Sequence, residues 1–179
     1  MSGSLERTLG AALLALVGCG RFTFTCGTDA KGVATGWCVL EDKGDLTKVA
    51  AYLGECGARL ITITAGGADK AVEGGDIKIA YHFDLEGDVL TVTVLVPRDE
   101  AVDSLTPLFG NADWPEREMA ELYGVKIAGH PNPERLFIDE SLGEAVLDRY
   151  IPYSSMANAA TTKGMWDKVM ARSKERSES

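Results

Sequence analysis

Residues 77–97 leave the chain little structural choice. Ile77, Ile79, Tyr81, Phe83 and Leu85 alternate with Lys78, Ala80, His82 and Asp84. A period of two is that of a strand with one buried face. Glu86-Gly87-Asp88 then supplies a turn, and "VLTVTVLVP" returns. The two runs are expected to form an antiparallel hairpin that ends at Pro97, which has no N–H to donate to a ladder. Such a hairpin is incompatible with a sheet built only from right-handed parallel crossovers. The expected fold is therefore α+β: a mostly antiparallel sheet with helices packed on one face, followed by an extended C-terminal tail.

Upstream, "RFTFT" and "VATGWCVLE" read as strands separated by a Gly/Asp/Lys turn. Asp45 is placed to cap a helix carrying Leu46, Val49, Ala50 and Leu53 on one face, with Gly54 and Gly57 to stop it. "RLITIT" is a third strand, ending at Gly66-Gly67. The segment "LGAALLALVGCG" resembles a short signal peptide ending at a lipid-modified Cys19. Glu6 stands beside Arg7, however, and the positive leading region of such a peptide is missing. Leu5, Leu9, Ala12, Leu13 and Leu16 share one helical face, with Ser4 to cap it and Gly18 to end it, so an amphipathic helix is expected. No stretch approaches the roughly 20 apolar residues of a membrane span.

One domain, residues 1–138, is expected to hold the core. From about Asp139 the periodicity fades into "PYSSMANAATTKG", and "RSKERSES" has the composition of a disordered end. Within this tail, residues 139–179, Met165, Trp166, Val169 and Met170 form one apolar patch suited to docking on the domain or a partner. The net charge of −9 argues against nucleic acid and against an anionic membrane surface as direct partners. Cys19, Cys26, Cys38 and Cys56 contain no C-x-x-C pair, and there are only two histidines, so no metal, cluster or other cofactor is expected. Two disulfides are conceivable in a secreted protein; small buried thiols in a reducing cytosol are the favoured reading.

The densest stretch is "DWPEREMAELYGVKIAGHP", Asp113 to Pro131. Asp113 is placed as an N-cap, Pro115 lies in the first turn, and Glu116 stands three after the cap as in a capping box. Trp114, Met119, Leu122 and Tyr123 would supply apolar contacts, and Gly124 would end the helix. Arg117 and Glu121 are i,i+4 neighbours able to pair, while Glu118 must find a partner elsewhere. Gly129-His130-Pro131 is a restricted turn, followed by Arg135-Leu136. Helix chemistry accounts for Asp113, Pro115, Glu116 and Gly124 but does not require Arg117, Glu118 or His130.

Across roughly residues 30–138, this pattern of Trp, Glu-Arg-Glu, Leu-Tyr-Gly, Gly-His-Pro and Arg-Leu resembles the thirty-kilodalton subunit family. That family comprises the thirty-kilodalton component of NADH:quinone oxidoreductase, respiratory complex I, and its counterparts in energy-converting nickel-iron hydrogenases. Trp114 stands one residue closer to Glu116 than the family pattern has it, and Leu122-Tyr123-Gly124 replaces a Phe-Gly. The resemblance implies a subunit without a redox centre, docked on the large subunit that carries the quinone or nickel-iron site and beside iron–sulfur subunits. It would lie peripherally on the cytoplasmic face of a membrane, attached only through its complex. The partner interface is expected at Trp114, Glu116, Arg117, Glu118 and Gly124, and at Gly129, His130, Pro131, Arg135 and Trp166. After Arg135-Leu136, "FIDESLGEAVLDRYIPYSSM" lacks the basic Asp-Phe-Pro stretch of complex I members, which tilts the expectation toward a hydrogenase-type complex. Two alternatives are weaker. A hydrolase would need paired groups around a substrate, but Glu116 and Glu118 are too local, and His82 and His130 read as strand and turn residues. A secreted lipoprotein binding module rests on Cys19 alone.

Overall fold

The computed structural model describes residues 2–67 and 76–137. The elements run α1 (Ser2–Val17), β1 (Phe22–Thr28), β2 (Ala34–Leu40), α2 (Leu46–Glu55), β3 (Arg59–Gly67), β4 (Ile77–Leu85), β5 (Asp88–Val96), β6 (Ala101–Asp103), α3 (Asp113–Tyr123) and β7 (Lys126–Ala128). A five-stranded sheet has the order β1-β2-β5-β4-β3, and β6 pairs with β7 in a small second sheet. In the large sheet only β2 and β5 are parallel; the other three pairings are antiparallel. The α+β expectation holds.

The hairpin forms where the alternation places it. Ile77, Ile79, Tyr81 and Phe83 of β4 and Leu90, Val92, Val94 and Val96 of β5 are buried. Glu86 and Gly87 both take positive φ, 53° and 97°, the backbone of a two-residue turn that matches the twist of the strands. Asp84 Oδ1 accepts the Gly87 N–H at 3.0 Å and stiffens it.

The helices cover one face of the sheet. Leu9, Leu13 and Val17 of α1, Leu46, Val49, Ala50 and Leu53 of α2, and Met119 of α3 share one core with the strand residues. The opposite face keeps Trp37, Val39 and Leu95 exposed. There His82 bridges two strands, with Nε2 3.1 Å from Thr64 Oγ1 and Nδ1 3.0 Å from Thr91 Oγ1.

Three local expectations change. On α1 the buried stripe closes on Val17, and Leu16 is 37 % exposed; the helix starts at Ser2, so Ser4 lies inside it. Apolar residues surround this helix on most sides, so spacing alone does not fix its rotation. Asp45 sits at the start of α2 but makes no cap bond. Its side chain is buried and paired with Arg21 and Lys48, each at 2.8 Å, two charged partners that outcompete a backbone cap. The expected tail, residues 139–179 with Trp166, lies outside the described residues.

Candidate functional site

Helix α3 follows a short 3-10 turn, Gly110–Ala112, and its first residue has no side-chain cap. The expected capping box does not form. Glu116 turns inward and is 0 % exposed. Its Oε1 accepts the Leu105 N–H at 2.6 Å; its Oε2 accepts the hydroxyls of Ser104 at 2.5 Å and Thr106 at 2.9 Å. Three donors in a buried site, one of them a fixed backbone N–H, compensate a carboxylate better than one water-exposed cap. The loop that supplies them is held by the β6–β7 pairing and by the Ser104 N–H, which donates to Ala128 O at 2.9 Å.

The second half of the motif closes over this loop. Gly129, at φ 71°, turns the chain out of β7. His130 follows, with a side chain only 3 % exposed. Its Nδ1 accepts the Asn132 N–H at 3.0 Å, which leaves the ring proton on Nε2. Nε2 faces Thr106 Oγ1 at 3.3 Å, Asp113 Oδ1 at 3.5 Å and Glu116 Oε2 at 3.6 Å. The Tyr81 phenol is enclosed nearby; burial, then the Glu116 and Asp103 carboxylates, push its pKa up.

Arg117 does not pair with Glu121. Its Nε donates to Glu134 O at 2.7 Å and its Nη2 to Arg135 O at 2.9 Å, while Nη1 stands 3.8 Å from Asp113 Oδ1. Glu121 Oε2 accepts the N–H groups of Leu136 at 2.9 Å and Phe137 at 3.0 Å. The two side chains seize backbone that the sequence pattern could not place beside them. Gly124 ends the helix at φ 69°, as expected, with its N–H on Ala120 O at 3.1 Å. Of the four apolar residues expected to pack, only Met119 is buried; Trp114, Leu122 and Tyr123 are 64 %, 45 % and 42 % exposed. Glu118 and Pro131 also face solvent.

The structure thus joins Glu116, Arg117, His130 and the backbone of Arg135 into one brace and turns Trp114 and Glu118 away from it. Sequence reasoning missed Ser104, Thr106 and the role of Glu121. The run Ser104-Leu105-Thr106-Pro107 marks a turn, yet nothing local shows that its donors meet a helix ten residues on. A surface groove of about 580 Å³ lies at the β3 edge, lined by Arg59, Ile61, Asp84, Phe109 and Asn111 among others, and holds none of these polar groups. Among the described residues no three His, Cys, Asp or Glu side chains are arranged to hold a metal ion.

Fold and site define an α+β module in which the motif residues Glu116 and Arg117 hold backbone of two distant segments. The chain belongs to the family of the respiratory-chain NADH dehydrogenase 30 Kd subunit, whose model matches residues 39–157. This bears out the resemblance carried by the Glu-Arg-Glu and Gly-His-Pro residues. A stretch of 51 residues is 47 % identical to the J subunit of NAD(P)H-quinone oxidoreductase from Synechococcus sp. strain RCC307, covering 28 % of this chain and 29 % of that one. Another of 69 residues is 33 % identical to the C/D subunit of NADH-quinone oxidoreductase from Erwinia tasmaniensis, covering 37 % of this chain and 12 % of that one. The matches therefore span under a third of these relatives' own lengths. The fold is shared with Nqo5 of a trypsin-resistant fragment, at TM-score 0.51 and 23 % identity over 72 % of this chain and 98 % of that one. It is shared too with a chain of a membrane-bound sulfane sulfur reductase, an archaeal respiratory membrane complex, at TM-score 0.60 and 16 % identity over 88 % and 92 % of the two chains.

Proposed function

We propose that this chain is a non-catalytic structural subunit of a membrane-bound respiratory oxidoreductase, seated on the large subunit of that complex and beside its iron–sulfur subunits. The observation that carries the reading is the family match over residues 39–157, which takes in the whole braced motif. The names of the curated relatives favour the NADH:quinone type over the hydrogenase type suggested by residues 137–156. The double designation C/D, with only 12 % of that chain matched, supports a large second subunit as the direct neighbour. Among the described residues no helix is long and apolar enough to cross a membrane. In this reading the chain attaches peripherally, through the complex, on the cytoplasmic face.

In this reading Trp114, Glu118 and Pro131, with Trp166 of the tail, meet the partner. Glu116, Arg117, Gly124, Gly129, His130 and Arg135 shape that surface from within. The test is affinity purification of the tagged chain from its own cells in mild detergent. Co-recovery of NADH-binding and quinone-site subunits is expected. A nickel-iron large subunit in their place would move the assignment to a hydrogenase. Recovery of the chain without any oxidoreductase subunit would overturn it.

A further inference from the structure

Both ends of one peptide bond, Arg135–Leu136, are held by side chains of a single helix. Arg117 donates to its carbonyl oxygen at 2.9 Å, and Glu121 accepts its N–H at 2.9 Å. Each jaw also holds the neighbouring group on its own side: Arg117 the Glu134 carbonyl at 2.7 Å, Glu121 the Phe137 N–H at 3.0 Å. Arg117 and Glu121 are four residues apart on α3, the spacing at which such side chains can pair directly. Instead a cation meets two carbonyl oxygens and an anion meets two amide protons, all four contacts charge-assisted. The backbone so held includes that of Phe137, a residue that is 63 % exposed. Considerable bonding thus fixes a short stretch of backbone, while its aromatic residue is left exposed.

We infer that Arg117 and Glu121 form a two-jawed clasp on the 134–137 backbone, and that Glu121 is a positioning residue that presents Phe137 to the large subunit. The second half rests on the docking reading above. The clasp explains why an Arg–Glu pair at this spacing stands in the motif without forming an ion pair. It also gives the strap a fixed register against α3, because each jaw spans two successive groups of one polarity.

Arg135–Leu136 is itself a trypsin bond, so the clasp can be read directly on the full chain. A protease needs that backbone free and extended, so cleavage follows the fraction of time the clasp is open. Glu121→Ala removes the acceptor from two amides and is expected to speed cleavage at this bond by about tenfold or more, with the same change in exchange of the Leu136 and Phe137 amides. Glu121→Gln keeps the shape and one acceptor oxygen, so its rate should fall between the two. Cleavage at other Lys and Arg bonds and the melting temperature should stay as in the wild type. In the affinity purification above, Glu121→Ala should lose the large subunit and Glu121→Gln should recover part of it. Equal cleavage of wild type and Glu121→Ala overturns the clasp. Faster cleavage with undiminished partner recovery overturns the positioning role and leaves the subunit assignment standing. A wild-type chain that recovers no partner sinks the assignment, and cleavage then decides the clasp.

Discussion

Glu116 is enclosed completely, and it takes the acceptor side of each bond it makes to Ser104, Leu105 and Thr106. The size of its contribution separates a brace from a helix cap. Losing a cap costs about 1 kcal/mol. Glu116→Ala would leave one backbone N–H and two hydroxyls in a dry site; the hydroxyls can turn elsewhere, but the Leu105 N–H cannot. The one N–H left unsatisfied costs about 1–3 kcal/mol, and the cavity left by a fully enclosed side chain adds to it, so a total of about 3 kcal/mol is expected. Urea unfolding of Glu116→Ala should show that loss as a lower midpoint at unchanged slope. A loss near 1 kcal/mol would return Glu116 to the role of a cap. Its residue type and its place three after Asp113 were readable in the sequence. Its burial was not, because its donors lie 10–12 residues upstream in a loop without periodicity. His130 was hidden for the same reason: Asp113, Glu116 and Thr106 reach it across the fold.

Among the elements, legibility follows length and one-sided burial. Nine-residue strands such as β4 and β5 repeat their buried positions often enough to be read from alternation alone. The three-residue strands β6 and β7 repeat nothing, so the pairing that holds the Ser104 loop is invisible in the sequence. The helix ends at Gly18, Gly57 and Gly124, all at positive φ, were legible because backbone geometry, not packing, selects the residue, whereas Gly54 lies inside α2 and does not stop it. Gly124 separates these two causes. Its φ is 69°, and a Cβ built there would meet nothing within 4 Å. Gly124→Ala should therefore cost only the left-handed backbone strain, about 1–2 kcal/mol, with no loss of contacts. At Gly36 the demand is steric instead, since a Cβ would stand 3.1 Å from Leu90 and 3.2 Å from Phe24. Thermal melts of Gly124→Ala and Gly124→Asn distinguish the explanations for position 124. Asparagine tolerates the left-handed region better, so it should retain part of the stability that alanine loses. Equal losses would mean that a contact, not φ, is at stake.

For the whole molecule, helices on one face leave the other face of the sheet to solvent or to a partner, and His82 lies in that face between Thr64 and Thr91. Partial burial lowers its pKa from the ordinary value of 6.5. The sign follows from proton counting. Below about 6.5 the unfolded chain binds a proton at this ring that the folded chain resists, so stability falls as the medium becomes acid. The contribution is whole above the ordinary value and is lost as pH drops toward the folded one. Asp84 acts in the same direction in more acid solution, because the Arg59 guanidinium, and after it the Gly87 N–H, hold its carboxyl below the usual range. The two are separable because only His82 begins to titrate above pH 5. Melting temperatures of the wild type and His82→Gln, compared from pH 7.5 to about pH 5, isolate it, since every other group cancels in the difference. Glutamine can still reach one threonine hydroxyl and carries no charge at either end of the range. The wild type should therefore lose stability relative to His82→Gln on acidification, with most of the change below pH 6.5. A constant difference would mean that the ring titrates alike in both states and that its strand position leaves it fully hydrated. A change of the opposite sign would mean that a negative group reaches the ring, which neither threonine provides.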